Sequence, residues 1–212
     1  MTCFETATRV PFILRAPRKP ASAGQVSAEL VELVDLYRTL ADLAGLPSPP
    51  ATPAGRPDDH SSVQGKSLVP VLDQFGGGPA LDRTAFPGVA LSQMTRCASG
   101  VTDFGAEKYY PCLSNAAPLP DVRRAYDFMG YSVRSATWRL TMWFPWNRTT
   151  LCPEWEREHT TMRELYDHRG DSALYDVENF ENENVAADPA HRAVLANLSA
   201  VIHGAFGEGC PH

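Results

Sequence analysis

Adjacent guanidinium groups at Arg123 and Arg124 give this 212-residue chain its clearest means of holding an anion. A planar guanidinium can grip a carboxylate or a sulfate through two parallel hydrogen bonds; the competing reading is a pair of solvated charges in a polar loop. Downstream, Trp143, Trp146 and Trp155 could stack on the faces of sugar rings or fill a core, and aromatic residues in an alternating stretch more often do the latter. Gly65-Lys66-Ser67 resembles the end of a phosphate-binding loop, but the upstream glycine that such a loop requires is missing, so nucleotide binding is not expected. There is no Gly-x-Ser-x-Gly elbow for serine-hydrolase chemistry. The histidines, His60, His159, His168, His191, His203 and His212, share no ligand spacing, and no Cys-x-x-Cys occurs. No metal is therefore expected on this chain's own residues.

The formal net charge of −6 argues against a nucleic-acid partner, whose binding would rest on a basic stripe. Apolar runs such as Val10 to Leu14 are far short of the roughly 20 residues that cross a bilayer, so no membrane partner is expected. The first residues lack the charged-then-apolar pattern of a signal peptide. Two sequons, Asn147-Arg148-Thr149 and Asn197-Leu198-Ser199, make Asn147 and Asn197 candidate N-glycosylation acceptors. Of the five cysteines, Cys97 with Cys112 and Cys152 with Cys210 are conceivable bridges, and free buried thiols are the alternative.

These residues need a scaffold, and the hydrophobic pattern supplies a mixed α/β one. Val10 to Ala16 reads as a buried strand closed by Pro17. Leu30 to Val34 forms a second apolar run, after which Asp35 is placed to cap a helix with Leu36, Leu40, Leu43 and Ala44 on one face and Gly45 as its stop. Pro47 to Asp59 should be an irregular loop. Gly65 to Leu72 reads as a turn and short helix, and Gly76-Gly77-Gly78-Pro79 marks a junction between residues 1–75 and 76–212. Beyond it, Phe86 to Gln93, Tyr131 to Ser135, Trp138 to Trp143 and Glu164 to His168 read as strands, the third with one buried face. A long loop spans Cys97 to Asp121, and Pro189 to Phe206 is the terminal helix, with Val194, Leu195, Leu198, Val201 and Ile202 on its apolar side.

A series of blocks in this order resembles the sulfatase (sulfuric ester hydrolase) family, and within it the iduronate-2-sulfatase-like group. They are Phe4-Glu5-Thr6-Ala7-Thr8-Arg9-Val10-Pro11, Leu30 to Tyr37, Gly65-Lys66-Ser67-Leu68, Leu91-Ser92-Gln93, Met129-Gly130-Tyr131-Ser132-Val133-Arg134 and Glu164-Leu165-Tyr166-Asp167-His168. The resemblance implies the C-terminal part of an alkaline-phosphatase-like sulfatase fold: remnant strands and a helix of the large sheet over residues 1–75, then a small antiparallel sheet and a C-terminal helix over 76–212. The family's Cys/Ser-x-Pro-x-Arg nucleophile pentapeptide does not occur here, and its calcium ligands lie upstream of the Phe-Glu-x-Ala-Thr block. No catalytic residue is therefore assigned, no cofactor is expected on this chain, and the chain alone is expected to be inactive. The resemblance further implies a sulfated glycan substrate for the complete enzyme, a missing N-terminal sulfatase half as partner, and a lysosomal or secreted parent. It makes Arg123 and Arg124 candidate contacts to an acidic sugar, and Arg96 and Arg134 candidate supports of the pocket. The alternative is a non-catalytic module binding acidic or sulfated glycans, or a structural remnant that completes a partner chain.

Overall fold

Residues 3–48, 50, 63–96, 126–160, 162–170 and 181–207 are described by a computed structural model, with the side chains of 158–160 left aside. Arg123 and Arg124, the loop at 97–121, most of the loop at 47–59, and Cys97, Cys112 and Cys210 lie outside them. The chain divides into two compact units: Val10–Ala90 with Arg134–Ala136, and Met1–Arg9 with Leu91–Val133 and Thr137–His212.

In the Val10–Ala90 unit the expected strand at residues 10–16 does not form. A strand needs a neighbour for its backbone groups, and among the described residues no strand pairs with this segment. Ile13 is 93% exposed, and Val10 and Phe12 are also open to solvent. Helix α2, Asp35–Ala44, follows a one-turn helix α1, Glu5–Thr8. It ends as expected on Gly45 in the left-handed conformation, where a missing Cβ removes the steric cost. Asp35 is inside α2 rather than its cap: its carboxylate accepts hydrogen bonds from the Glu32 and Lys66 backbone N–H groups at 3.0 and 2.9 Å. The buried face is correspondingly polar. Thr39 donates to the Asp35 carbonyl and accepts from the Leu68 N–H, whereas Leu40, expected inward, is exposed. These bonds join α2 to the Gly65–Leu68 turn, where a Cβ on Gly65 would lie 2.0 Å from the Val34 carbonyl oxygen. Helix α3, Val69–Gln74, follows, and Leu68, Val71, Leu81 and Phe86 make a small core with Val31 against it.

The other unit is built on strands. Strand β1, Val89–Arg96, neighbours β2, Phe128–Ser135, which neighbours β3, Trp138–Asn147; the unit division passes through the first residues of β1 and the last of β2. The two-residue β4, Cys152–Pro153, and β5, Arg163–Asp167, both pair antiparallel with β3, at Asn147↔Cys152 and Leu140↔Leu165 respectively. The expectation of one buried face on β3 is corrected: every residue from Trp138 to Phe144 is buried. One face receives helix α4, Arg192–Phe206, through an aromatic cluster in which Tyr131 meets Phe144, Trp155 and Phe206 with ring centroids 4.5–6.2 Å apart. Leu198 and Ile202 are the fully buried residues of α4. A short 3₁₀ turn begins the terminal helical segment at Pro189, with the Asp188 carboxylate accepting from the Ala190 N–H. Along β5, the Asn184 side chain accepts from the Leu165 N–H and donates to the Arg163 carbonyl, while the Val185 N–H donates to the Leu165 carbonyl.

Candidate functional site

The other face of β3 holds Arg139, a charged residue in the middle of a buried run. Its guanidinium is paired with two carboxylates, Glu5 from α1 and, at 2.5 Å from Nε, Glu181. It also donates to the Thr8 hydroxyl at 3.0 Å. Glu181 accepts from the Glu5 backbone N–H at 2.6 Å, which satisfies one of the donors left free at a helix start. His168, just after β5, is completely buried with Nε2 3.4 Å from Glu181 Oε1. On the next residue pair along the strand, Thr141 and Ser132 are hydrogen bonded at 2.9 Å.

Burying charges is costly unless geometry and hydrogen bonds offset the lost solvation, and here the offset is mainly charge against charge: Arg139 Nε and Glu181 Oε1 lie within ion-pair distance but make no hydrogen bond. Glu5 Oε1 faces Arg9 at 3.6 Å and Oε2 faces Arg139; Glu181 Oε1 faces Arg139 and His168, and Oε2 takes the Glu5 N–H. Two carboxylates thus meet two guanidinium groups. Glu5, His168 and Glu181 have ligand-type atoms within 4.8 Å of one another, but the Arg139 guanidinium already supplies a positive charge between the two carboxylates. That charge would oppose a second cation, so the set reads as an ion-paired brace. Its role is to fasten the Phe4–Arg9 segment to β3 and to the residues after β5, an attachment continued by the Phe4 ring standing edge-on to Tyr166 at 5.6 Å.

Beside this cluster, Cys3 is a free, buried thiol. Burial pushes its pKa up to about 11, partly countered by Arg139. Desolvation likewise raises Tyr166, to about 12. The Arg96 guanidinium lies over the Trp143 ring at 3.9 Å from the centroid, a cation–π contact, and the Trp143 indole N–H reaches Glu164 at 3.2 Å. Arg134 is buried and donates to the neighbouring Ser135 carbonyl. Asn147 ends β3 and its side chain accepts from the Thr149 and Thr150 N–H groups of the following turn, and Asn197 is exposed on α4. Cys152 is disulfide-bonded, with its partner outside the described residues.

The sequence pattern singles out neither residue: His168 has no ligand spacing, and a strand at Trp138 to Trp143 with one buried face does not mark Arg139 as enclosed. The missed signal was local: an arginine flanked by Trp138 and Leu140 inside an apolar run must be paired if the strand is buried on both faces. Nothing near 181 in the sequence marks its glutamate as the partner.

No protein-family model matches the chain, and no curated protein matches it. Among solved structures it is similar to a protein of Bacteroides thetaiotaomicron VPI-5482 described provisionally as a sulfatase, at 19% identity and a TM-score of 0.43, over 82% of this chain and 24% of that one. The chain thus spans about a quarter of the length of that structure.

Proposed function

We propose that this chain is the C-terminal portion of a sulfuric ester hydrolase of the iduronate-2-sulfatase-like kind, acting on a sulfated glycan, and that it supplies scaffold and substrate-facing surface rather than the reacting groups. The observation that carries this reading is the meeting of two family-like blocks, Phe4–Arg9 and Glu164–His168, around one buried ion cluster. That cluster holds the segment following the family's active-site strand in a fixed place. The Val10–Ala90 unit adds support, because Ile13, Val26, Tyr37 and Leu46 all lie more than half exposed, as expected of a surface that a larger sheet would cover. The chemistry of the family, an aldehyde-hydrate nucleophile helped by a divalent cation, would come from the N-terminal half, since the family's nucleophile pentapeptide does not occur in these 212 residues. Cys152 in a disulfide accords with a lysosomal or secreted parent.

The test is reconstitution. The chain alone should turn over neither an aryl sulfate nor a sulfated iduronate disaccharide, with or without calcium. Joined to a sulfatase N-terminal half carrying Cys/Ser-x-Pro-x-Arg, it should restore turnover. Activity of the isolated chain, or a folded but inert reconstituted protein, would refute the reading.

A further inference from the structure

Three of the four tryptophans, Trp138, Trp143 and Trp155, are buried in the sheet unit, whereas Trp146 remains half-exposed at the end of β3. It lines, with Phe128 and Pro145, a cleft of about 370 Å³, within the usual size range of small-molecule sites, about 300–1,000 Å³. The indole is held rather than loose. Its backbone N–H donates to the Asp127 carbonyl at 2.9 Å, its Cα pairs with Pro153 across β3 and β4, and Tyr126 packs against it with centroids 6.2 Å apart.

The rim of the cleft consists of two acid–guanidinium pairs, Asp127 with Arg148 and Glu154 with Arg157, the second at 2.7 Å. Arg148 is further fixed by donating from Nε to the Tyr126 carbonyl at 3.1 Å. The four charges cancel. An anion would meet a carboxylate beside each guanidinium, and a cation would meet a guanidinium beside each carboxylate, so the rim favours neither. The cleft does offer planar acceptors, planar donors and aromatic rings together in one lining, which suits a ligand carrying adjacent hydroxyl groups on one edge and C–H groups on one face.

We infer that this cleft binds a short neutral saccharide, with a pyranose ring stacked on Trp146 and its hydroxyls bridging the Asp127–Arg148 and Glu154–Arg157 pairs. The site is separate from the Arg139 cluster, and its existence does not depend on the sulfatase reading. It also differs in ligand charge from the acidic-sugar role considered for Arg123 and Arg124.

The experiment uses the full 212-residue chain. Cellotriose, maltotriose and a sulfated heparin disaccharide are each titrated against tryptophan emission, with saturation-transfer NMR as a second readout. Because Trp146 is the least buried of the four indoles, a neutral trisaccharide should change emission saturably, and the NMR transfer should reach one sugar face. Trp146→Ala should abolish the NMR transfer, and Arg157→Ala, a change at an exposed side chain, should weaken binding about tenfold. Should Trp146→Ala fail to fold, Arg157→Ala and Asp127→Asn carry the test. Absence of saturable binding by both trisaccharides, preference for the sulfated disaccharide, or undiminished binding in the folded variants would overturn the inference.

Discussion

In the strand unit, the residues from Trp138 to Phe144 are buried without interruption and even an arginine is enclosed with its partners. In the Val10–Ala90 unit the proportions are reversed: Asp35 and Thr39 are buried on α2, while Leu40 on the same helix and Leu33, Val34 and Leu46 beside it stay exposed. Both units contain arginine–glutamate pairs, but Arg139 with Glu5 and Glu181 is buried, whereas Arg83 with Glu29 is a two-pronged surface pair at 2.8 and 2.9 Å. The contrast teaches that the type of residue pair says little about its importance. What matters is whether water can replace a lost partner.

The largest expected effect tests that statement directly. Arg139→Met leaves two buried carboxylates without their guanidinium and should destabilise the strand unit by about 3–5 kcal/mol, read as a lower urea midpoint. A loss below about 1 kcal/mol would mean that the cluster is solvated in solution and that the two ion pairs are equivalent after all.

Next comes Gly65→Ala, which probes the smaller unit. The added Cβ would meet backbone atoms of Val34 and Asp35, which cannot move aside as a side chain can. The expected cost is at the upper end of about 1–3 kcal/mol, with faster hydrogen exchange over α2 as the local sign. Exchange that speeds up equally in β3 and β5 would show that the units do not open separately.

An alkaline titration sharpens the comparison within the strand unit. Cys3 has its pKa raised from 9.0 to about 11 by burial. Below pH 9 the thiol is protonated in both the folded and the unfolded chain, so its contribution is fully present. Between about 9 and 11 the unfolded chain gives up the proton first, so stability falls as pH rises. Cys3→Ala should flatten the thermal-midpoint curve over that window and leave it unchanged near neutrality. An identical curve for the variant would remove Cys3 from the buried set.

The smallest effect is assigned to the exposed pair. Arg83→Ala should barely lower the urea midpoint, and the loss should shrink in high salt. The Arg83 hydrogen bond that holds the Glu29 carboxyl below its usual range accounts for this residual effect. A cost comparable with that of Arg139→Met would erase the distinction between the two regions.

Much of the strand unit was legible because its elements are encoded locally. Trp138, Leu140 and Met142 mark β3, Glu164 to Asp167 falls within β5, and Pro189 begins the terminal helical segment. Gly45 marks the end of α2 just as plainly. Alternation failed on β3 because a strand covered on both sides buries both sets of residues, so the pattern did not mark Arg139, which is buried in the fold. The segment at 10–16 failed for the opposite reason: an apolar run signals a strand only when another strand is there to pair with it. The ion cluster depends on contacts between residues as far apart as Glu5 and Glu181, and no local spacing encodes that. Trp146 was visible as a sugar-stacking candidate, but only burial separates it from Trp143 and Trp155.

Asn184 has a consequence beyond its hydrogen bonds. By occupying the Leu165 N–H and the Arg163 carbonyl, with Val185 taking the Leu165 carbonyl, it closes the flank of β5 that would otherwise present a free template to a second molecule. One amide side chain thereby stands in for an absent strand. With that plug withdrawn, Arg163–Asp167 would present its backbone groups to a second copy, and the sheet would be open to edge-to-edge growth.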